Sequence, residues 1–136
     1  MKNIPLLLTL CLLVTACDRE SIEEPSVSAT CKNNEHCLFA NKTEVWLSAP
    51  NITPETPFTI NLKLPDGASI SSAKLEGVTM YMGYIPLQFK KGTNYWHADT
   101  MVGLCSEKVM TWKMTVSYID TDDQTHSLFY YFDSRY

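Results

Sequence analysis

"VMTWKMTVSYI", Val109 to Ile119, alternates large apolar and polar residues without a break. Met110, Trp112, Met114, Val116 and Tyr118 fall on one side, with Thr111, Lys113, Thr115 and Ser117 on the other. A period of two places successive side chains on opposite faces, so the stretch reads as a half-buried antiparallel strand. "FTINLKL" repeats the pattern, with Phe58, Ile60, Leu62 and Leu64 set against Thr59, Asn61 and Lys63.

Further strand candidates are "EVWLS", "SISSAKLEGVTMYM", "IPLQFKK", "NYWHADT" and "HSLFYYFDS". Between them stand "APNITPETP", "LPDGA", "KKGT" and "DTDDQ", whose Pro, Gly, Asn and Asp residues supply the fixed or positive φ that turns need. No helical periodicity follows the N-terminal stretch. About seven strands in roughly a hundred residues predict an all-β fold, an immunoglobulin-like antiparallel β-sandwich with one core.

The chain opens "MKNIPLLLTLCLLVTAC": one basic residue, an apolar run from Ile4 to Val14, and small or polar residues before Cys17. That is the layout of an export signal, too short to be a stable membrane span. "LVTAC" resembles the lipobox of bacterial lipoproteins, which implies a signal peptide over 1–16 and Cys17 as an acylated first residue carrying palmitate-type chains. At about 0.8 kcal/mol per buried methylene, such chains hold a soluble domain at a lipid bilayer. In lipoproteins of this kind Asp18 implies retention at the periplasmic face of the inner membrane. Where that sorting rule does not apply, the outer membrane is the destination.

Removing residues 1–16 takes only Lys2 from eleven basic residues against fifteen acidic ones, leaving a charge of about −5. No basic face is available for phosphates, so nucleic acid is excluded as a partner. "CDRESIEEPSVSAT" is acidic, Ser-rich and nearly devoid of bulky apolar residues, too little to offset its ordering entropy. We read 17–30 as the acylated cysteine with a flexible stalk, and 31–136 as the domain.

Three further cysteines belong to the domain: Cys31, Cys37 and Cys105. The short loop "CKNNEHC" makes Cys31 with Cys37 the first pairing to expect, leaving Cys105 free. Pairing of Cys105 with either of the other two remains open. An odd thiol in an exported chain is a buried inert group, a redox group or a metal ligand.

Cys105 precedes Met110 by five residues, while "MYMG" carries Met80 and Met82 at alternate positions. Thiolate and thioether sulfurs are soft donors suited to Cu(I), to which His97 adds an imidazole. Against this stands plain packing. Met110 and Met114 share a row with Trp112 and Val116, and on alternation Met80 and Met82 lie with Val78 on a core-facing row. The glycine after Met82 and the nearby Pro86 mark a strand end, where a methionine emerges at the sandwich edge. His97 alternates with Trp96 and reads as a surface residue, His126 as a turn residue, and His36 lies inside the cysteine loop.

Taken together, "GVTMYMGYIPLQF", "YWHADTMVGLC" and "MTWKMTVSY" resemble small exported β-sandwich domains of the YtkA-like and FixH-like kind. The resemblance implies copper handling or cytochrome oxidase assembly, with Met80, Met82 and His97 as the matching ligand positions. Cys105 and "CKNNEHC" depart from that pattern.

Catalysis finds no motif: there is no Gly-rich phosphate loop, no HExxH and no nucleophile elbow. Two non-enzymatic functions are expected. One is a tethered Cu(I)-binding or respiratory-oxidase assembly module using Met80, Met82, Cys105 and His97, with a membrane respiratory complex or another envelope protein as partner. The other is a metal-free interaction or structural module stapled by its disulfide, with exposed tyrosines facing a protein partner.

Overall fold

In a computed structural model, residues 31–136 and the backbone of Ser26–Val27 are described. The expected signal peptide, Cys17 and all of the stalk but those two residues lie outside them. Among the described residues there is no helix long and apolar enough to cross a membrane.

Ten strands form two five-stranded sheets packed face to face. In chain order they are β1 (Ser26–Val27), β2 (Cys37–Leu38), β3 (Glu44–Leu47), β4 (Phe58–Lys63), β5 (Ser69–Gly77), β6 (Tyr84–Pro86), β7 (Lys90–Lys91), β8 (Trp96–Thr100), β9 (Val109–Ile119) and β10 (Thr125–Arg135). One sheet has the order β1-β10-β9-β5-β6, the other β2-β3-β4-β8-β7. The β-sandwich is therefore as expected, with seven strands of three residues or more. Pairing is antiparallel except at one edge, where β1 runs parallel to β10.

The alternation that defined β9 is realised in full. Met110, Trp112, Met114, Val116 and Tyr118 are all buried, and Leu128, Tyr130 and Phe132 on the neighbouring β10 join them. From the opposite sheet Ile60, Leu62 and Val45 close the core. Each such side chain contributes about 1.5–3 kcal/mol when fully buried, so this interface carries most of the stability.

The polar atoms of the buried aromatics are partnered, as burial demands. Trp112 Nε1 donates to Ser134 Oγ at 3.1 Å, Tyr130 Oη donates to the Glu35 carbonyl at 2.8 Å, and Tyr118 Oη accepts from the Asn41 amide. Burial holds the Tyr130 phenol well above its ordinary range.

Two expected strands end or divide differently from their sequence patterns. "SISSAKLEGVTMYM" is strand only to Gly77, and residues 78–83 form a loop before β6. "IPLQFKK" changes sheets: Tyr84–Pro86 pairs with β5, whereas Lys90–Lys91 pairs with β8. Buried Leu87, whose N–H donates to the Ala73 carbonyl at 2.9 Å, anchors the crossing.

The Cys31–Cys37 disulfide forms, leaving Cys105 free. Its loop is fastened to the far end of β10: Asn34 Nδ2 donates to the Asp133 carbonyl at 2.9 Å and Asn34 Oδ1 accepts the Asp133 N–H at 2.6 Å. Asn34 takes a positive φ of 66°, which asparagine tolerates.

Topology gives the sandwich two distinct ends. The β9–β10 hairpin and the Gly67 turn, whose Cα faces Thr121, make one. Loops 48–57, 78–83 and 101–108 and the C-terminal Tyr136 make the other, joined by Glu55 N–H to Val102 carbonyl and Val78 N–H to Thr111 carbonyl, both 2.8 Å.

Candidate metal centre

Loop 78–83 leaves β5 through Gly77. A Cβ there would collide with the carbonyl oxygen of Met80 and the methyl of Met110, so only glycine lets the chain turn back this tightly over the buried Met110. Thr79 Oγ1 then accepts the Thr111 N–H at 2.9 Å, pinning the loop to β9. Gly83, at φ +77°, takes the left-handed turn into β6.

The consequence is a correction: Val78, Met80 and Met82 do not lie on a core-facing row. Met80 is 41% and Met82 44% exposed. Alternation fails here because it presumes that the strand continues, and the strand stops at Gly77.

Loop 101–108 approaches from β8. Val102 is fully buried and seats the loop, while Cys105 is half-buried beside it. The Tyr136 hydroxyl lies 3.1 Å from the Cys105 carbonyl and 3.3 Å from that of Ser106, to which it donates, so the last residue of the chain straps the loop from outside.

These two loops bring Cys105 Sγ to 3.4 Å from Met80 Sδ. The methyl of Met82 lies 3.6 Å from the position of a Cβ at Gly103, two residues before Cys105. Metal–sulfur bonds near ~2.3 Å, the value for a zinc thiolate, put two ligands of one ion no more than about 4.6 Å apart. The Cys105–Met80 separation lies inside that limit, and both methionines are open to solvent.

His97 does not join them. It sits on the outward face of β8, registered between Asn61 and Lys90, with Nδ1 3.9 Å from the Cβ position of Gly92 in the β7–β8 turn. The chain needs the rest of β8, roughly 13 Å of strand, to reach Met101. The resemblance-based role for His97 therefore fails on strand direction, although its outward placement is as expected.

His36 is spent on Glu44, 3.1 Å away, and His126 on Asp120, 2.6 Å away at the opposite end. Met110 and Met114 are buried in the core. Among the described residues no three of the His, Cys, Asp and Glu side chains converge into a metal site.

Sequence reasoning missed Gly77, Gly103 and Tyr136, which shape the site without contributing a donor. Only the glycine between Glu76 and Val78, interrupting an otherwise regular alternation, offered a local signal. Comparison of the chain with family models, curated proteins and solved structures finds no match, so the reading of the site rests on its own geometry.

Proposed function

We propose that this chain is a membrane-tethered envelope lipoprotein that binds Cu(I) through Cys105 and Met80, with Met82 as the third, exchangeable ligand. The observation that carries the proposal is the 3.4 Å approach of a free cysteine sulfur to a solvent-exposed methionine sulfur across two loops. One thiolate and two thioethers form a soft, singly charged donor set, which favours a monovalent soft ion over Zn(II) or Mg(II).

Exposed methionines also suit transfer. Thioether bonds are weak individually, so an incoming sulfur ligand replaces Met82 before the Cys105 bond breaks, and the ion passes to a partner without being released. A membrane respiratory complex under assembly is the proposed recipient. Acylation of Cys17 would keep the module at the bilayer, on the periplasmic face of the inner membrane if Asp18 acts as a retention signal, and at the outer membrane otherwise. The Cys31–Cys37 disulfide is compatible with an oxidising compartment. No step of this function is catalytic.

A second reading is favoured by one feature. Val78, Tyr81, Tyr84, Met101 and Leu104 are exposed apolar residues on the same loops or beside them, which also suits a metal-free protein-interaction module. Titration of the acylated full chain with Cu(I) under anaerobic reducing conditions separates the two. Sub-micromolar binding of one equivalent, weakened at least about a hundredfold in Met80→Leu with Met82→Leu, supports the metal module; absence of binding leaves the interaction module.

A further inference from the structure

The outer face of the β2-β3-β4-β8-β7 sheet carries a second constellation, separate from the sulfur loops. Trp46, Asn61, His97 and Lys90 are registered side by side across four adjacent strands. Rings flank the row: His36 and Tyr95 each approach Trp46 at 5.3 Å between centroids, at interplanar angles of 39° and 62°. Outward positions on a sheet are usually charged or small polar; a run of three rings is not needed for folding there.

Asn61 is the informative residue. It is only 9% exposed, its side-chain amide makes no hydrogen bond to another described residue, and the amide atoms themselves reach solvent. Trp46 and His97 are its register neighbours on the two adjacent strands. Its donors and acceptor are therefore open to water in the free protein and to a ligand that displaces that water.

The charged groups around the row are already used. Lys63 donates to Glu44 at 3.1 Å, and that hydrogen bond holds the Glu44 carboxyl below its ordinary range and ionised. Thr59 Oγ1 donates to Asp99 at 2.7 Å. Lys91 lies over the Trp96 ring at 5.5 Å. What faces a ligand is thus a set of ring faces and edges, an amide and an imidazole, with Lys90 at the end of the row. Tyr95 also lines an adjoining cleft of about 530 Å³, shared with Lys63, Asp66, Asn94 and Trp96, so the platform continues beyond the sheet edge.

We propose that this face is a binding platform for an uncharged oligosaccharide. Pyranose rings present apolar C–H faces, which pack against aromatic rings, and hydroxyl edges, which both donate to and accept from a side-chain amide. A nucleotide or phosphate would need free cations that the row does not offer beyond Lys90, and a purely apolar ligand would leave Asn61 unsatisfied. The platform does not depend on the metal site, and its ligand occupies the opposite sheet from β5, β9 and β10.

The test is calorimetric titration of the full chain with chitotetraose and with cellotetraose as separate probes. Binding of at least one, with dissociation constants between about 10 μM and 5 mM, is expected. Tyr95→Ala and Asn61→Ala should each weaken it at least about tenfold. Tyr95 is 44% exposed and outside the core, so its variant keeps the test valid should Asn61→Ala lower stability. Absence of binding to both probes, or binding that both substitutions leave unchanged, overturns the proposal. So does recognition of peptides in place of saccharides by the same face.

Discussion

Cys105 Sγ lies 3.4 Å from Met80 Sδ, although twenty-five residues separate them and one comes from the β8–β9 crossover between the sheets, the other from the β5–β6 loop within a sheet. The contact exists because β5 stops at Gly77 and β8 stops at Thr100, and both chains turn over the same end of the sandwich. Everything proposed for the sulfur site depends on those two terminations.

Gly77→Ala is expected to disturb the site from beneath. Its Cβ would meet a backbone carbonyl and the buried Met110, so loop 78–83 must shift. Thermal unfolding should show a loss of about 1–3 kcal/mol, and Cu(I) affinity should fall more than about tenfold. Gly103→Ala is the contrast, since its Cβ makes ordinary contact with the Met82 methyl and should be tolerated in both measurements.

Tyr136→Phe removes the hydroxyl that straps loop 101–108. Tyr136 is 57% exposed, so the cost in global stability should stay near the low end of about 0.5–1.5 kcal/mol for a hydrogen bond. Amide hydrogen exchange should accelerate selectively in residues 103–107, and Cu(I) should dissociate several times faster while the melting temperature barely moves.

Much of this architecture was legible beforehand, and the failures are instructive. β4, β9 and β10 each bury a continuous row against one core, so a period of two in the residues is a period of two in the structure. The Cys31–Cys37 pairing was the first to expect from the short loop between them, and the structure selects it over pairing of either with Cys105. Met80 and Met82 were misplaced because Gly77, the one local signal in "GVTMYM", fits a bulge in a continuing strand as well as a turn back; the reason for the turn lies in Met110 and the Met80 carbonyl filling the space at Gly77. "IPLQFKK" was read as one strand because a change of sheet alters partners and leaves composition untouched. His97 was placed on the correct face, but its distance from the sulfurs is set by the direction of β8, which no local pattern encodes.

Replacing Cys31 and Cys37 by serine opens a small loop and should cost about 2–3 kcal/mol by the chain-entropy estimate. The Asn34 bonds to β10 make the loop worth keeping in place, so its exchange protection should fall as well. Free-thiol counting by peptide mass spectrometry on the non-reduced chain should find one thiol within residues 31–136, at Cys105. A labelled Cys31 or Cys37 would contradict the pairing.

Acid should loosen the β9–β10 hairpin first. Asp120 is held below its ordinary value of 3.8 by the His126 side chain and by the Gln124 and Asp122 N–H groups. A carboxyl depressed in the folded state contributes stability that is fully present above that ordinary value and is lost as pH falls through the lower, folded one. Between pH 5 and about pH 2 the melting temperature of the native chain should therefore drop more steeply than that of Asp120→Asn. Parallel curves would show that Asp120 contributes nothing to the pH dependence.

Copper K-edge X-ray absorption on the full chain loaded with one equivalent of Cu(I) tests the shared sulfur site most directly. An edge typical of monovalent copper is expected, with a first shell of sulfur alone at about 2.3 Å. Cys105→Ser should abolish that shell, and Met80→Leu should lower its sulfur count. A first shell containing imidazole nitrogen, or one unchanged in both variants, would contradict the assignment of the ion to Cys105, Met80 and Met82.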